Sequence, residues 1–259
     1  MDKVKILEAV KLNGLELEVA SNDIKDNPEI VLEAVKQNGR ALKFASKDVK
    51  NNPAIVGEAV KQNGSALLYA SKQLKGNHDI VLAAVKQKGG SLIYASDEVK
   101  GCSDIILEAV TSDGTALRYA STELRDDSVV VLKAVQQKGG ALKFASDALK
   151  ENAEIVLKAF SNDTLALKFA SDKLKADQAF ILSAVKIDAT AVLYASSELN
   201  RNSEFIQKAS RQNKRVSMYS LDGGEDDQKT MLENKPKEEE PRHGREVDPQ
   251  VSSLEVSEE

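Results

Sequence analysis

A 25-residue repeat limits the possible folds of this chain more than any other feature of its sequence. An Ala-Ser pair returns with this period, without insertion or deletion, at Ala20, Ala45, Ala70, Ala95, Ala120, Ala145, Ala170 and Ala195. A second series, mostly Ala-Val, keeps the same period from Ala9 onwards. A fixed period of this size is typical of solenoid proteins, in which units too small to fold alone stack around one continuous core.

Each unit is expected to contain two short helices. Asn27 followed by Pro28 suits the cap and the first position of a helix. The apolar residues that follow fall on one helical face: Ile30, Val31, Ala34 and Val35. Gly39 is expected to end this helix in the left-handed conformation. A second helical segment surrounds Leu42, and Ser46 is expected to cap a further turn or a short 3₁₀ piece.

These patterns predict an all-α fold, a right-handed α-solenoid of about eight 25-residue two-helix repeats over residues 1–220. Polar residues such as Lys5 and Gln207 replace apolar ones in the outermost units, as capping repeats require. Residues 221–259 contain 13 acidic and 5 basic residues and little apolar periodicity, so we predict a disordered acidic tail. The repeats alone then carry a net charge of +3, and the tail accounts for the acidity of the whole chain.

Composition argues against most enzyme classes. A single cysteine, Cys102, leaves no disulfide partner and no cysteine-based zinc site. The only two histidines, His78 and His243, are far apart in the sequence. We therefore expect neither a histidine-rich metal site nor a Ser–His–Asp triad. We therefore expect no enzymatic activity, no metal and no cofactor. No apolar run approaches the roughly 20 residues of a membrane span, and no signal-peptide core follows the N-terminus, so a cytoplasmic protein is expected.

The unit at residues 27–50 resembles the helical repeat catalogued as domain of unknown function four-one-one-six. The core A-V-K-x-N-G-x-A-L-x-Y-A-S carries this resemblance over nearly all of residues 1–220. Such repeats are found in protist and giant-virus proteins and in effectors of intracellular bacteria, so the resemblance implies a fold but no activity. In size the unit also resembles leucine-rich variant repeats, which pair an α-helix with a 3₁₀ helix. Thr164 and Ala189 replace the earlier glycines, and the turn there is expected to differ.

One slot of the repeat is basic in seven successive units and forms a candidate basic ladder: Lys25, Lys50, Lys75, Lys100, Arg125, Lys150 and Lys175. Such a stripe suits binding of nucleic acid or an anionic lipid. The alternative, which we favour, is that each cation complements the C-terminal dipole of its own short helix. Neighbouring acids such as Asp26 and Asp126 would also dilute the field.

Seven of the eleven aromatic residues share another slot: Phe44, Tyr69, Tyr94, Tyr119, Phe144, Phe169 and Tyr194. Because this slot accepts Phe and Tyr alike, we predict that it packs in the core, which argues against nucleic acid as the partner. Variable exposed slots are where a repeat protein builds a partner-specific surface. The candidate partner-binding residues are Arg40, Lys43, Arg118, Lys143 and Lys168. The resulting hypothesis is a monomeric, non-enzymatic scaffold that binds a protein.

The predicted tail contains a run of three glutamates, Glu238, Glu239 and Glu240. This run resembles the Glu-rich C-terminal signals of effectors exported by type IVB secretion systems. The resemblance implies that the protein is secreted from a bacterium into the cytoplasm of a host cell. An ordinary acidic segment that aids solubility is the alternative.

Overall fold

The structure is a computed structural model that describes residues 3–219. Eight 25-residue repeats follow one another in this range, and a ninth contributes two helices. Every described element is helical, which confirms the predicted all-α repeat solenoid. The described residues belong to one compact unit. The predicted tail and its boundary at residue 220 lie outside the described residues.

Each repeat opens with a ten-residue α-helix, called its long helix below. In order along the chain the long helices are Lys3–Leu12, Pro28–Gln37, Pro53–Gln62, His78–Gln87, Ser103–Ser112, Ser128–Gln137, Ala153–Asn162, Gln178–Ile187 and Ser203–Gln212. An asparagine or aspartate caps most of them. The side-chain oxygen of Asn27, for example, accepts a hydrogen bond from the amide of Ile30 at 3.2 Å, and Pro28 follows it at the first helical position, as predicted.

The second helix of each repeat is a 3₁₀ helix. These helices are Gly14–Val19, Gly39–Phe44, Gly64–Tyr69, Gly89–Tyr94, Gly114–Tyr119, Gly139–Phe144, Thr164–Phe169, Ala189–Tyr194 and Lys214–Met218. A third, shorter segment follows in repeats 1 to 8: Asn22–Lys25, Val49–Asn51, Lys72–Lys75, Val99–Gly101, Thr122–Arg125, Asp147–Lys150, Asp172–Ala176 and Ser197–Asn200. Ser46 caps this segment in repeat 2, because its hydroxyl accepts the amide of Val49 at 3.2 Å. This short capped piece was predicted.

Gly39 does not end the long helix in a left-handed conformation, so that prediction was wrong. Asn38 leaves the helix with extended backbone (φ −148°, ψ 109°), and Gly39 begins the 3₁₀ helix directly. Glycine is needed for space instead: a Cβ atom on Gly39 would lie 2.4 Å from the carbonyl oxygen of Ala59 in the next repeat. Repeats 7 and 8 keep the same turn with Thr164 and Ala189 in place of glycine.

The core lies between a layer of long helices and a layer of 3₁₀ helices, each packed against its own neighbours along the array. Ile30, Val35 and Leu42 are at most 1% exposed, and their equivalents are buried in the central repeats. At the two ends, Lys5 and Gln207 are exposed in slots that are apolar elsewhere. This burial supports the predicted capping role of the outermost units.

Two series of hydrogen bonds join consecutive repeats. In the first, the backbone amide of the capping serine donates to the carbonyl of the ladder residue one repeat earlier, as from Ser46 to Lys25 at 3.0 Å. This bond recurs at seven boundaries, ending with Ser196 to Lys175 at 2.8 Å. In the second, the amide that starts a 3₁₀ helix donates to a side chain of the next long helix, as from Gly39 to Gln62 Oε1 at 2.7 Å.

Candidate partner-binding surface

The 3₁₀ helices of successive repeats pack side by side and form one surface, called the 3₁₀ face below. A 3₁₀ helix has three residues per turn, so its side chains form three rows. In repeat 2, Leu42 lies in the row that faces the core and is fully buried. Arg40 and Lys43 share the outward row and are exposed. Phe44 lies in the third row, between the row that faces the core and the outward row.

The aromatic slot is therefore at the edge of the core and not inside it. Six of its seven side chains are half-buried: Phe44, Tyr69, Tyr94, Tyr119, Phe144 and Phe169. Tyr194 is buried, at 9% exposure, and burial together with the carboxylates of Asp163 and Asp188 raises its pKa to about 12. The prediction of a core slot is wrong for the other six, because the interchange of Phe and Tyr shows only that the hydroxyl is not required, and the 3₁₀ helix places this slot at the edge of the core.

Four of the five candidate partner-binding residues stand directly against these rings. The Lys43 amine is 5.2 Å from the centroid of Phe44, and Lys143 and Lys168 are 4.7 and 4.9 Å from Phe144 and Phe169. Arg118 bridges two repeats, with its guanidinium carbon 5.0 Å from the ring of Tyr119 and 5.9 Å from that of Phe144. These distances are within the range of cation–π attraction, which holds each cation at the surface beside an aromatic ring.

A groove of about 430 Å³ opens on the 3₁₀ face at repeats 1 to 4. It is lined by Leu15, Arg40, Lys43, Phe44, Ser65, Leu68, Tyr69, Lys88 and Tyr94. These lining residues combine aromatic and aliphatic side chains with three cations and no carboxylate. The structure thus brings Arg40 and Lys43 together at one concave site. The sequence indicated that the slot of Lys88 is variable and exposed, but Lys88 was not among the candidate partner-binding residues.

The candidate basic ladder has different surroundings. Its seven cations are half-buried, and three of them pair with an aspartate three residues earlier: Lys100 with Asp97 at 3.0 Å, Lys150 with Asp147 at 3.1 Å and Lys175 with Asp172 at 3.6 Å. The amine of Lys50 donates to the carbonyl of Lys43 at 2.7 Å, and burial lowers the pKa of Lys50. The ladder residues also accept the amide hydrogen bonds that join the repeats.

The sequence model of one family, described as Domain of unknown function (DUF4116), matches residues 5–50, 52–100, 77–125, 102–150, 130–175 and 152–200. The chain belongs to the DUF4116 family. No curated protein and no solved structure matches it significantly.

Within these DUF4116 repeats the residues of the 3₁₀ face vary while the packing positions recur. The outward slot that holds Lys43 contains Leu68, Ile93, Arg118 and Lys143 in the next four repeats. The buried slot of Leu42 holds leucine in each of those repeats. Each repeat therefore presents its own contact on a constant framework.

The long helices carry one charged contact between DUF4116 repeats that sequence reasoning missed. His78 Nε2 lies 2.7 Å from an oxygen of Asp104 in the next repeat, and Nδ1 lies 3.5 Å from Asp79. These two carboxylates, Asp104 first, raise the pKa of His78. Both His78 and Asp104 are largely exposed, so the contact is an ion pair at the surface.

Cys102 and the glutamate run were the other residues considered as sites. Cys102 is half-buried at the cap position of its long helix, where its sulfur is 3.7 Å from the carbonyl of Glu98. Between residues 3 and 219, no group of three His, Cys, Asp or Glu side chains is arranged to hold a metal. In the same range no helix has the length and apolarity to cross a membrane. Glu238, Glu239 and Glu240, the candidate secretion signal, lie outside the described residues.

Proposed function

We propose that this protein is a non-enzymatic scaffold that binds a protein partner through the 3₁₀ face. The observation that carries the proposal is the line of half-buried aromatic rings with Lys43, Arg118, Lys143 and Lys168 stacked beside them. Aromatic residues and arginine are enriched at the centres of protein interfaces and lysine is depleted there, so the rings and Arg118 are the strongest part of this observation. Their side chains offer a large contact area together with a charge.

The framework supports this role because it holds the contacts at fixed spacing. Serine-to-ladder backbone bonds and glycine-to-glutamine bonds join consecutive repeats at two different points of the unit. A surface held in its binding geometry loses little conformational entropy on association. Successive repeats therefore present their side chains to a partner as one preformed array.

The rival function, a nucleic-acid or anionic-lipid binder using the basic ladder, has less support. Lys100, Lys150 and Lys175 pair with aspartates, and Lys50 bonds to a backbone carbonyl. Phosphate contacts need cations that are free to replace counterions. The repeats also carry only a small net positive charge, because their acidic residues nearly balance the basic ones.

Affinity capture from cell lysate tests the proposal with the full chain as bait. The test variant reverses three charges on the 3₁₀ face: Arg118→Glu, Lys143→Glu and Lys168→Glu. The matched control reverses three exposed charges on long helices: Lys133→Glu, Lys158→Glu and Lys186→Glu. We expect the native chain and the control to retain a protein that the test variant loses, and nuclease treatment to leave this capture unchanged.

Two results would contradict the proposal. Equal retention by the test variant and the control would remove the 3₁₀ face from the interaction. Capture that disappears with nuclease, or that falls steeply as salt is raised, would favour the nucleic-acid alternative, since phosphate contacts release counterions.

Secretion into a host cell is a separate proposal that rests on the glutamate run alone. A translocation reporter fused to the full chain tests it, with a second fusion that lacks residues 236–259. Loss of delivery on this deletion, with unchanged circular dichroism, would support a secretion signal. Unchanged delivery would leave only a solubilising segment.

A further inference from the structure

We infer that the groove at repeats 1 to 4 binds an extended acidic peptide segment that carries apolar side chains. The inference rests on the proposed function and narrows it to one site and one class of ligand. Two observations carry it: the aromatic and aliphatic side chains among the lining residues, and the unbalanced positive charge of that lining. The usual spacing of packed helices then sets the length of the ligand.

Aromatic and aliphatic side chains from successive repeats line the groove together with its polar groups. Phe44, Tyr69 and Tyr94 are its aromatic residues, and Leu68 is 43% exposed beside them. A leucine exposed in a concave site next to aromatic rings is a typical contact for an apolar side chain of a partner. The volume of about 430 Å³ is large enough for several side chains of a short peptide segment.

The charge of the groove has one sign. Arg40, Lys43 and Lys88 line it without a carboxylate among the lining residues. Lys43 is held over Phe44, so its amine already lies beside one of the aromatic rings of the groove. An anionic ligand complements this arrangement, and like-charged ligands are repelled by it.

Lys88 has a further property that favours a binding role. Asn38 and Asn63 occupy the equivalent position in repeats 2 and 3, and each caps its 3₁₀ helix through the side chain. Lys88 makes no capping hydrogen bond. Lys138 lacks the cap in the same way, and of these two lysines only Lys88 lines the groove.

The spacing of the repeats sets the length of the ligand. Packed helices lie about 8–10 Å apart, so three neighbouring rings span about 16–20 Å. An extended chain advances about 3.3 Å per residue and alternates its side chains between two sides. Five or six extended residues therefore span the three rings. Apolar side chains of the peptide would contact the rings, and acidic side chains would pair with the three cations.

A nucleic acid could pair its phosphates with the three cations of the groove, but it has no group that complements the aliphatic side chains. Aliphatic groups such as Leu15 and Leu68 offer nothing to a phosphate. The peptide is therefore the occupant that the groove favours.

Fluorescence anisotropy with the full chain tests the inference. The probe is a fluorescein-labelled eight-residue peptide of alternating glutamate and leucine. Three comparison probes are alternating glutamate and serine, alternating lysine and leucine, and an eight-nucleotide oligodeoxythymidine. We expect the glutamate–leucine peptide to bind most tightly and the lysine–leucine peptide not to bind.

The groove variant combines Arg40→Glu with Lys88→Glu, and the control combines Lys61→Glu with Lys86→Glu, two exposed lysines in repeats 3 and 4 that do not line the groove. The groove variant should bind the glutamate–leucine peptide at least about tenfold more weakly, because it places like charges opposite one another. The control should bind normally. Leu68→Ala should weaken binding of the glutamate–leucine peptide and leave the weaker binding of the glutamate–serine peptide unchanged.

Several results would overturn the inference. These are equal binding of the glutamate–serine and glutamate–leucine peptides, tighter binding of the oligonucleotide, or an equal effect of the groove and control variants. The capture experiment shows whether such a result concerns only the groove or also the proposed scaffold function. A partner retained by the groove variant but lost when the charges of repeats 5 to 7 are reversed leaves the scaffold role intact and removes this groove from it.

Discussion

The backbone amide of Gly114 donates a hydrogen bond to the side-chain oxygen of Gln137, one repeat further along the chain, at 2.6 Å. A side chain on Gly114 would collide with the same neighbouring repeat, since its Cβ would lie 2.4 Å from the carbonyl oxygen of Ala134. The pair therefore fixes both the distance and the alignment of two repeats. Equivalent bonds join five other boundaries in the described residues, with Ser112 and Asn162 replacing glutamine at two of them.

Gln137→Ala should lower the free energy of unfolding by about 1–3 kcal/mol, because it leaves the part-buried amide of Gly114 without its acceptor. Gln136→Ala is the matched control, since Gln136 is the exposed neighbour on the same helix. Urea unfolding followed by circular dichroism measures both. Equal midpoints for the two variants would show that the bond does not stabilise the stack.

Gly114→Ala should destabilise the protein by about 1–3 kcal/mol or more, as overpacking of a close contact does. Gly90→Ala is the control in a neighbouring 3₁₀ helix, where the nearest atom to a new Cβ would be 3.8 Å away. That change should be neutral or slightly stabilising, because alanine restricts the unfolded chain. Thermal melts compare them, and a stable Gly114→Ala variant would contradict the close approach of the repeats.

Leu117→Ala should cost about 2–5 kcal/mol, the usual range for a buried leucine in a core. Leu165→Ala removes the same atoms from a side chain that is 42% exposed and should cost clearly less. Chemical denaturation of the two variants measures the difference. Coincident unfolding curves would mean that the inside and the outside of the 3₁₀ helix are wrongly assigned.

The pKa of His78 should lie above that of an ordinary histidine, because Asp104 and Asp79 stabilise its charged form. A raised pKa means that the stabilisation is fully present below the unfolded-state pKa, about 6.5, and is lost as pH rises through the folded-state value. Proton NMR titration can follow the two histidines of the chain separately. Asp104→Asn should lower the pKa of His78 more than Asp79→Asn, and equal shifts would contradict the 2.7 Å contact.

The period, the helix caps and the burial of Leu42 could all be predicted from the sequence, because each depends on local spacing. The glycine contact could not, since it involves residues 23 positions apart in different repeats. Its signal was present as a recurring glutamine at Gln37, Gln62, Gln87 and Gln137. Where Thr164 replaces glycine, the corresponding slot of the next repeat holds Ile187, whose side chain has no acceptor.

The proposed binding surface was predicted only in part. Variability singled out Arg40, Lys43 and Arg118 correctly as exposed or outward-facing residues of one face. Their aromatic neighbours were placed in the core because the slot accepts Phe and Tyr alike, whereas the three residues per turn of the 3₁₀ helix place that slot at the edge of the core. Without the rings at the surface, neither the cation–π contacts nor the groove could be anticipated.

The hydrogen bonds between repeats have a consequence for how such a surface can change over time. The amide of Ser71 bonds to Lys50, and that of Gly39 bonds to Gln62, so both bonds reach only an adjacent unit. Excision or duplication of one whole unit would restore the same serine-to-ladder backbone bond at the new junction. Lys43 and Arg118 are three units apart. Such a change would alter the interval between these two side chains in steps of one unit while leaving the surroundings of each within its own repeat unchanged.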